Sequence, residues 1–234
     1  ELALLEQSTS NSNFNTFAKL SAWHFFSKGE HMKQKPGWVL PDLKEAQKRT
    51  TNTIDRIDTF TIPEVARMMG RGKTYFISTY GCQANERDSE TLAGILDELG
   101  FTPNETAEGS DVIIINTCAI RQNAEEKVLG EIGNFKRLYR ENKDLIIGVC
   151  GCMAQEEGLV ETLLTKYPQV RLLFGTHNIQ ELPSMLYSCM FEGKKVVKIY
   201  SKEGEVYENL PVHRFGTFKA WVNIMYGCDK FCTY

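Results

Sequence analysis

The sequence predicts an open α/β domain, a parallel sheet flanked by helices, and three observations predict it. Short β-branched runs alternate four times with longer amphipathic stretches. The runs are apolar at nearly every position, as strands covered on both faces are. A glycine or a cysteine closes each run, where the chain must turn from strand into helix.

The first unit is "KTYFIST" (73–79), a Gly-Cys turn, and then "NERDSETLAGILDELG". There Leu92, Leu96 and Leu99 fall on one helical face, Asp88 and Ser89 offer capping near the start, and Gly100 supplies the stop. "DVIIINT" (111–117) opens the second unit. Cys118 follows, and then a helix with Val128, Ile132, Phe135 and Tyr139 on one face. The third is "DLIIGVC" (144–150), Gly151-Cys152 and "AQEEGLVETLLTKYP"; the fourth is "VRLLFGT" (170–176) leading into "HNIQELPSMLYS". The right-handed crossover rule brings the C-terminal end of every strand to one edge of the sheet. The α/β domain is expected over 73–192, with an edge strand or hairpin and linker over 193–216 and a further strand starting near 217.

Upstream, residues 1–31 include "STSNSNFNTF", a polar stretch with little periodicity, expected to be a disordered or non-native tail. Residues 32–72 form an extension richer in Lys and Arg than in Asp and Glu, which reads as a solvated basic face. The net charge of −3 gives no global nucleic-acid footprint. No apolar run is long enough for a membrane span. Seven cysteines without an export signal argue for a reducing, cytoplasmic setting, where spaced cysteines serve as metal ligands or catalytic thiols more often than as disulfides.

Cys82, Cys118 and Cys152 each follow a predicted strand and precede its helix, so the topology gathers them on one edge, where open α/β sheets bind ligands. Helix N-termini pointing there would lower their thiol pKa values. Three thiolates suit an iron–sulfur cluster with one iron open, or a zinc with one open position. Cys150 lies within a strand run and reads as core or as support for Cys152, and Cys189 reads as structural. Gly81, Gly151 and Gly175 sit at strand ends, and Asn85, Asn116 and Gln155 place amides where they can donate to sulfur, or act as turn residues and caps. Lys136, Arg137 and Arg140 make a basic helical patch. His177 is expected to start a helix. At the end of the chain, Cys228 and Cys232 stand four apart in "CDKFCTY".

The strings "TYGCQANERDSE", "NTCAIRQNAEEK", "GVCGCMAQEE", "FGTHNI" and "WVNIMYGCDKFCTY" together resemble the methylthiotransferase branch of the radical S-adenosylmethionine enzymes, over roughly residues 33–234. "YGCQ-x-N" is closer to the tRNA-modifying members than to the member acting on a ribosomal protein. Ala84 departs from the usual Met.

The resemblance implies two 4Fe–4S clusters. An auxiliary one would be held by Cys82, Cys118 and Cys152. The radical one would be held by Cys228, Cys232 and a third cysteine that would fall just after Tyr234; no catalytic residue beyond these ligands is implied. It implies S-adenosylmethionine as cofactor, a 5′-deoxyadenosyl radical, and transfer of a methylthio group to C2 of N6-(dimethylallyl)adenosine beside the anticodon. Its partners would be the tRNA anticodon stem-loop and an electron donor such as flavodoxin or ferredoxin, acting on a monomer. Residues 217–234 would then be the start of a truncated radical barrel, and this chain alone would be inactive. Alternatives are a methylthiotransferase for threonylcarbamoyladenosine in tRNA or for ribosomal protein, and, from another class, a non-catalytic zinc-binding or interaction domain.

Overall fold

The computed structural model describes residues 56–118, 122–155, 157–199 and 205–223. The expectations for residues 1–55, for Cys228 and Cys232, and for the remainder of the segment after 223 lie outside these residues.

Six strands form one parallel sheet: β2 (Thr74–Tyr80), β3 (Thr102–Pro103), β4 (Val112–Thr117), β5 (Ile146–Gly151), β6 (Val170–Phe174) and β7 (Val196–Lys198). Their spatial order is β3-β2-β4-β5-β6-β7, with every neighbouring pair parallel. After β2 the chain steps outward to β3, then returns past β2 and proceeds the other way. This is the doubly wound order of flavodoxin-like sheets, whose direction of winding reverses between β2 and β4. The two-residue β3 creates that reversal. A further pair, β1 (Arg56–Thr59) and β8 (Glu205–Glu208), runs parallel in a separate ribbon.

Four α-helices connect the strands: α1 (Gln83–Glu98), α2 (Gln122–Glu141), α3 (Glu157–Lys166) and α4 (Leu182–Phe191). The period-two alternation of the strands divides the apolar residues between two cores. Val112, Ile114, Ile146, Leu172 and Phe174 pack with Leu92, Ile95 and Leu96 of α1 and with Leu182, Met185 and Leu186 of α4. Ile113, Ile115, Ile147, Val149, Val170 and Leu173 pack with Val128 and Ile132 of α2 and with Val160 and Leu163 of α3. The expected helical faces are the buried ones, with Phe135 in the second core and Tyr139 packed against it.

Three expectations change. The helix of the first unit begins at Gln83 with Cys82 as its N-cap, so Asp88 and Ser89 are helix interior rather than caps. Gly100 does stop this helix, at φ 86°; a side chain there would meet the Arg67 carbonyl oxygen at 2.5 Å. The hairpin reading of 193–216 gives way to its edge-strand alternative: β7 joins the main sheet, and β8 pairs with β1 rather than with β7. Residues 218–223 form no strand. Among the described residues no helix is long and apolar enough to cross a membrane.

Candidate functional site: a thiol edge at the switch of the sheet

Parallel pairing levels the three predicted cysteines. Tyr80 pairs with Thr117, and Thr117 with Gly151, so Cys118 and Cys152 each lie one residue past a matched row and Cys82 two residues past it. The three strands are adjacent, so the outer two are about 10 Å apart. The edge they share is the crevice where winding reverses, the ligand position in sheets of this kind.

Glycine permits this close approach at two of the turns. Gly151 adopts φ 99°, and a Cβ there would lie 2.2 Å from the Thr117 carbonyl oxygen. A Cβ on Gly81 would stand 2.2 Å from Asn85 Oδ1 and 3.0 Å from the Cys118 Cβ. Cys82 and Cys152 are half-buried and Cys118 is buried.

Beneath the thiols lies a closed polar network. Asn85 Nδ2 donates to Asn116 Oδ1 and to the Thr117 carbonyl oxygen, both at 3.0 Å. Asn116 Nδ2 donates to the Asn85 carbonyl oxygen at 2.9 Å and to Ser89 Oγ at 3.0 Å. Thr117 Oγ1 donates to the Cys150 carbonyl oxygen at 2.9 Å. Asn85, Ser89, Asn116 and Thr117 are all buried, so each of these bonds replaces one to water that burial removed. Because the Asn85 nitrogen faces two acceptors, its oxygen must face Cys82. It accepts from the Cys82 backbone N–H at 3.2 Å and from the Cys82 thiol at 3.4 Å. The expectation of an amide donating to sulfur is therefore reversed at Asn85. Asn116 is engaged within the network, and Gln155 Nε2 lies against Gly175, 2.8 Å from where its Cβ would be.

The expected lowering of thiol pKa is also reversed at Cys152. Burial pushes this thiol up first, followed by the neighbouring Cys118 and Cys82 thiols and by Asp88. The element that Cys152 opens is a single short 3-10 turn, Cys152–Gln155, whose few aligned peptides offer little dipole. The mutual influence of the three thiols places them in one electrostatic neighbourhood. As they stand, no three His, Cys, Asp or Glu side chains among the described residues meet at a point suited to a single metal ion.

Asp88 was not singled out as a site residue. Its carboxyl is largely buried and raised by that burial, against the lowering effect of Arg87 at 2.9 Å and of His177. Only the tertiary fold brings these groups together, so no local sequence signal marked it. His177 is exposed, the second residue of a short 3-10 helix, Thr176–Glu181. In the same turn, Asn178 Oδ1 is the one buried side-chain polar atom of the described residues without a protein partner.

Cys150 and Cys189 are packed among apolar side chains. Both belong to the first core, and burial raises both thiols, Cys189 to about 11. In the basic patch, Arg137 is occupied by Glu108 at 3.4 Å and Glu141 at 3.1 Å.

The fold and this edge define a doubly wound α/β domain with a thiol-lined switch point. Residues 74–175 match the family described as Uncharacterized protein family UPF0004. A protein of Staphylococcus saprophyticus named tRNA-2-methylthio-N(6)-dimethylallyladenosine synthase is 56% identical over 194 residues, 83% of this chain and 38% of the relative. Its namesake in Geobacillus thermodenitrificans is 55% identical over 83% of this chain and 37% of the relative. The one in Bacillus licheniformis is 53% identical over 84% and 39%. The chain is similar to these synthases over most of its own length, and it spans under two-fifths of the length of these relatives.

Proposed function

We propose that this chain is the sulfur-handling part of a tRNA methylthiotransferase that adds a methylthio group to C2 of N6-(dimethylallyl)adenosine. In this reading S-adenosylmethionine and two 4Fe–4S clusters are its cofactors. Cys82, Cys118 and Cys152 hold the auxiliary cluster, and Cys228 and Cys232 belong to the radical one. The carrying observation is the levelling of three thiols at the ends of three adjacent strands, at the crevice of the switch. Kinship with named tRNA-2-methylthio-N(6)-dimethylallyladenosine synthases supports the substrate.

The spacing also bears on the zinc alternative. Ligands to a single ion must converge on one point, whereas thiolates of an iron–sulfur cluster attach to different irons and stand further apart. Three strands spanning about 10 Å suit the second arrangement. Bound there, a cluster with three protein ligands would supply an open iron at which sulfur can be carried.

The protein's own contribution is to hold and orient. The Asn85–Asn116–Thr117 network ties the end of β4 to the first turn of α1. Thiols bind a metal centre as thiolates, and burial raises the Cys152 thiol further, so loading the centre releases protons.

Iron and visible absorption, measured after anaerobic reconstitution, test the ligand set. Replacing Cys82, Cys118 or Cys152 by Ala should remove the brown auxiliary centre, while Cys189→Ala should retain it. Undiminished iron in the first three variants would overturn the assignment. The substrate is tested by mass spectrometry of tRNA nucleosides from cells lacking the complete gene, where the methylthio form of dimethylallyladenosine should disappear.

A further inference from the structure

A chain of polar side chains crosses the sheet from β7 toward the thiol edge and stops one bond short of it. Lys198, on β7, pairs with the Glu181 carboxylate. Glu181 in turn accepts from Asn178 Nδ2 at 2.8 Å. That bond decides which way the Asn178 amide faces: with its nitrogen on Glu181, its oxygen turns back toward the end of β6. There the oxygen is enclosed and meets no donor among the described residues. An acceptor buried and left open is costly. Its donor has to be a trapped water or a neighbouring side chain, because bulk solvent does not reach it.

One side chain is placed to supply that donor. Gln155 lies across Gly175: a Cβ there would stand 2.8 Å from Gln155 Nε2 and 3.5 Å from Asn178 Oδ1. The donating end of one amide and the accepting end of the other thus face the same bare Cα. Gly175 is extended, with φ −79° and ψ 168°, so no left-handed backbone calls for glycine there. What the glycine provides is the space above its Cα. Gln155 closes the short 3-10 turn that Cys152 opens, and Gly151, at φ 99°, precedes that turn. Cys82, by contrast, caps a long helix. Of these two ligand positions, the Cys152 turn is the freer to adjust.

We propose that Gln155 and Asn178 are positioning residues for Cys152: when the thiol edge is occupied, the Gln155 amide donates to Asn178 Oδ1 and fastens the Cys152 turn to the Asn178–Glu181–Lys198 chain. Resting on the reading that Cys152 is a ligand of the auxiliary centre, this assignment adds what holds that ligand in place. The polar chain then runs unbroken from the last strand in the sheet order to the end of β5.

The test compares iron-free protein with protein reconstituted anaerobically. Gln155→Leu removes the donor at similar volume. Gly175→Ala sets a methyl group against the movable end of Gln155 and keeps the two amides apart without straining the backbone. Both variants should leave the urea midpoint of the iron-free protein unchanged and should load iron in full. Release of that iron to a chelator should be about tenfold faster than from the unaltered chain, the order expected for one lost buried hydrogen bond. Gln155→Lys, which returns a donor of similar reach, should restore slow release. Asn178→Leu should act as Gln155→Leu does, and the double variant should be no worse than either, as for two partners in one bond. Hydrogen exchange is an independent readout: loading should slow exchange at residues 176–181 in the unaltered chain, but not in Gln155→Leu or Gly175→Ala. Release and exchange indifferent to those two substitutions would overturn the proposal and leave the Asn178 oxygen with an internal water only. Additive losses in the double variant would overturn it as well. The cluster reading fails separately. Iron retained in full by Cys152→Ala sinks that reading, whereas iron held through Cys152 but released alike from every variant sinks this inference alone.

Discussion

At the scale of single residues, the thiol edge depends on atoms that are not thiols. Asn85 is the clearest case, because its amide binds the Cys82 backbone on one side and the end of β4 on the other. Asn85→Asp would turn an oxygen toward two acceptors inside a buried site. It should cost about 2–4 kcal/mol, measurable as a lower urea midpoint with an unchanged slope. Gly151→Ala should be at least as severe, since it combines φ 99° with a 2.2 Å approach to a main-chain oxygen. The sequence made Gly151 legible, because a glycine closing a parallel strand has few other reasons to be there. The role of Asn85 was not legible. Which end of an amide faces a thiol is decided by partners 31 and 32 residues away.

Among the elements, legibility followed length. The helices and the four long strands carry enough periodic residues to declare themselves. Ile132, fully buried on the predicted face of α2, should cost about 2–5 kcal/mol when truncated to Ala, by thermal or urea unfolding. Strand β3, of two residues, is too short for any pattern, and it alone decides where the winding reverses. The packing of the segment after β8 along α1 was illegible for another reason: an acidic stripe on a helix reads as a solvated face until its partners, here Lys219 and Trp221 on Glu86, are seen. Its pH dependence follows from Glu86, whose carboxyl is held below its ordinary value of 4.5 first by the Lys219 hydrogen bond and further by that charge and the Trp221 N–H. A depressed folded-state pKa stabilises above the ordinary value and loses that contribution as pH falls through the depressed one. Exchange protection of residues 219–222 should therefore hold from neutral pH down to about 4.5 and fade below it, a loss that Glu86→Gln should abolish.

For the molecule as a whole, one parallel sheet with a core on each face explains why the cysteines can be grouped from the sequence. Parallel strands with helical crossovers leave only one edge for their C-terminal ends, so three thiols at three strand ends had one place to go. The β1–β8 ribbon could not be anticipated in this way. Its strands lie at opposite ends of the described chain, and nothing in "RIDT" or "EVYE" names the other.

That ribbon has a consequence for the order of assembly. It closes a loop of about 150 residues, and the entropy of so distant a meeting must be met before its four-residue register can repay it. The sheet, built from neighbouring units, forms without it; the ribbon therefore closes last and opens first. Together with the Phe60 N–H bond to the Glu208 carbonyl oxygen, it acts as a late clasp across the two ends of the domain. Pulse-labelled exchange during refolding should show β4 and β5 amides protected before those of β1 and β8. A domain fastened in this way lets its cysteine edge take shape before its two ends are joined.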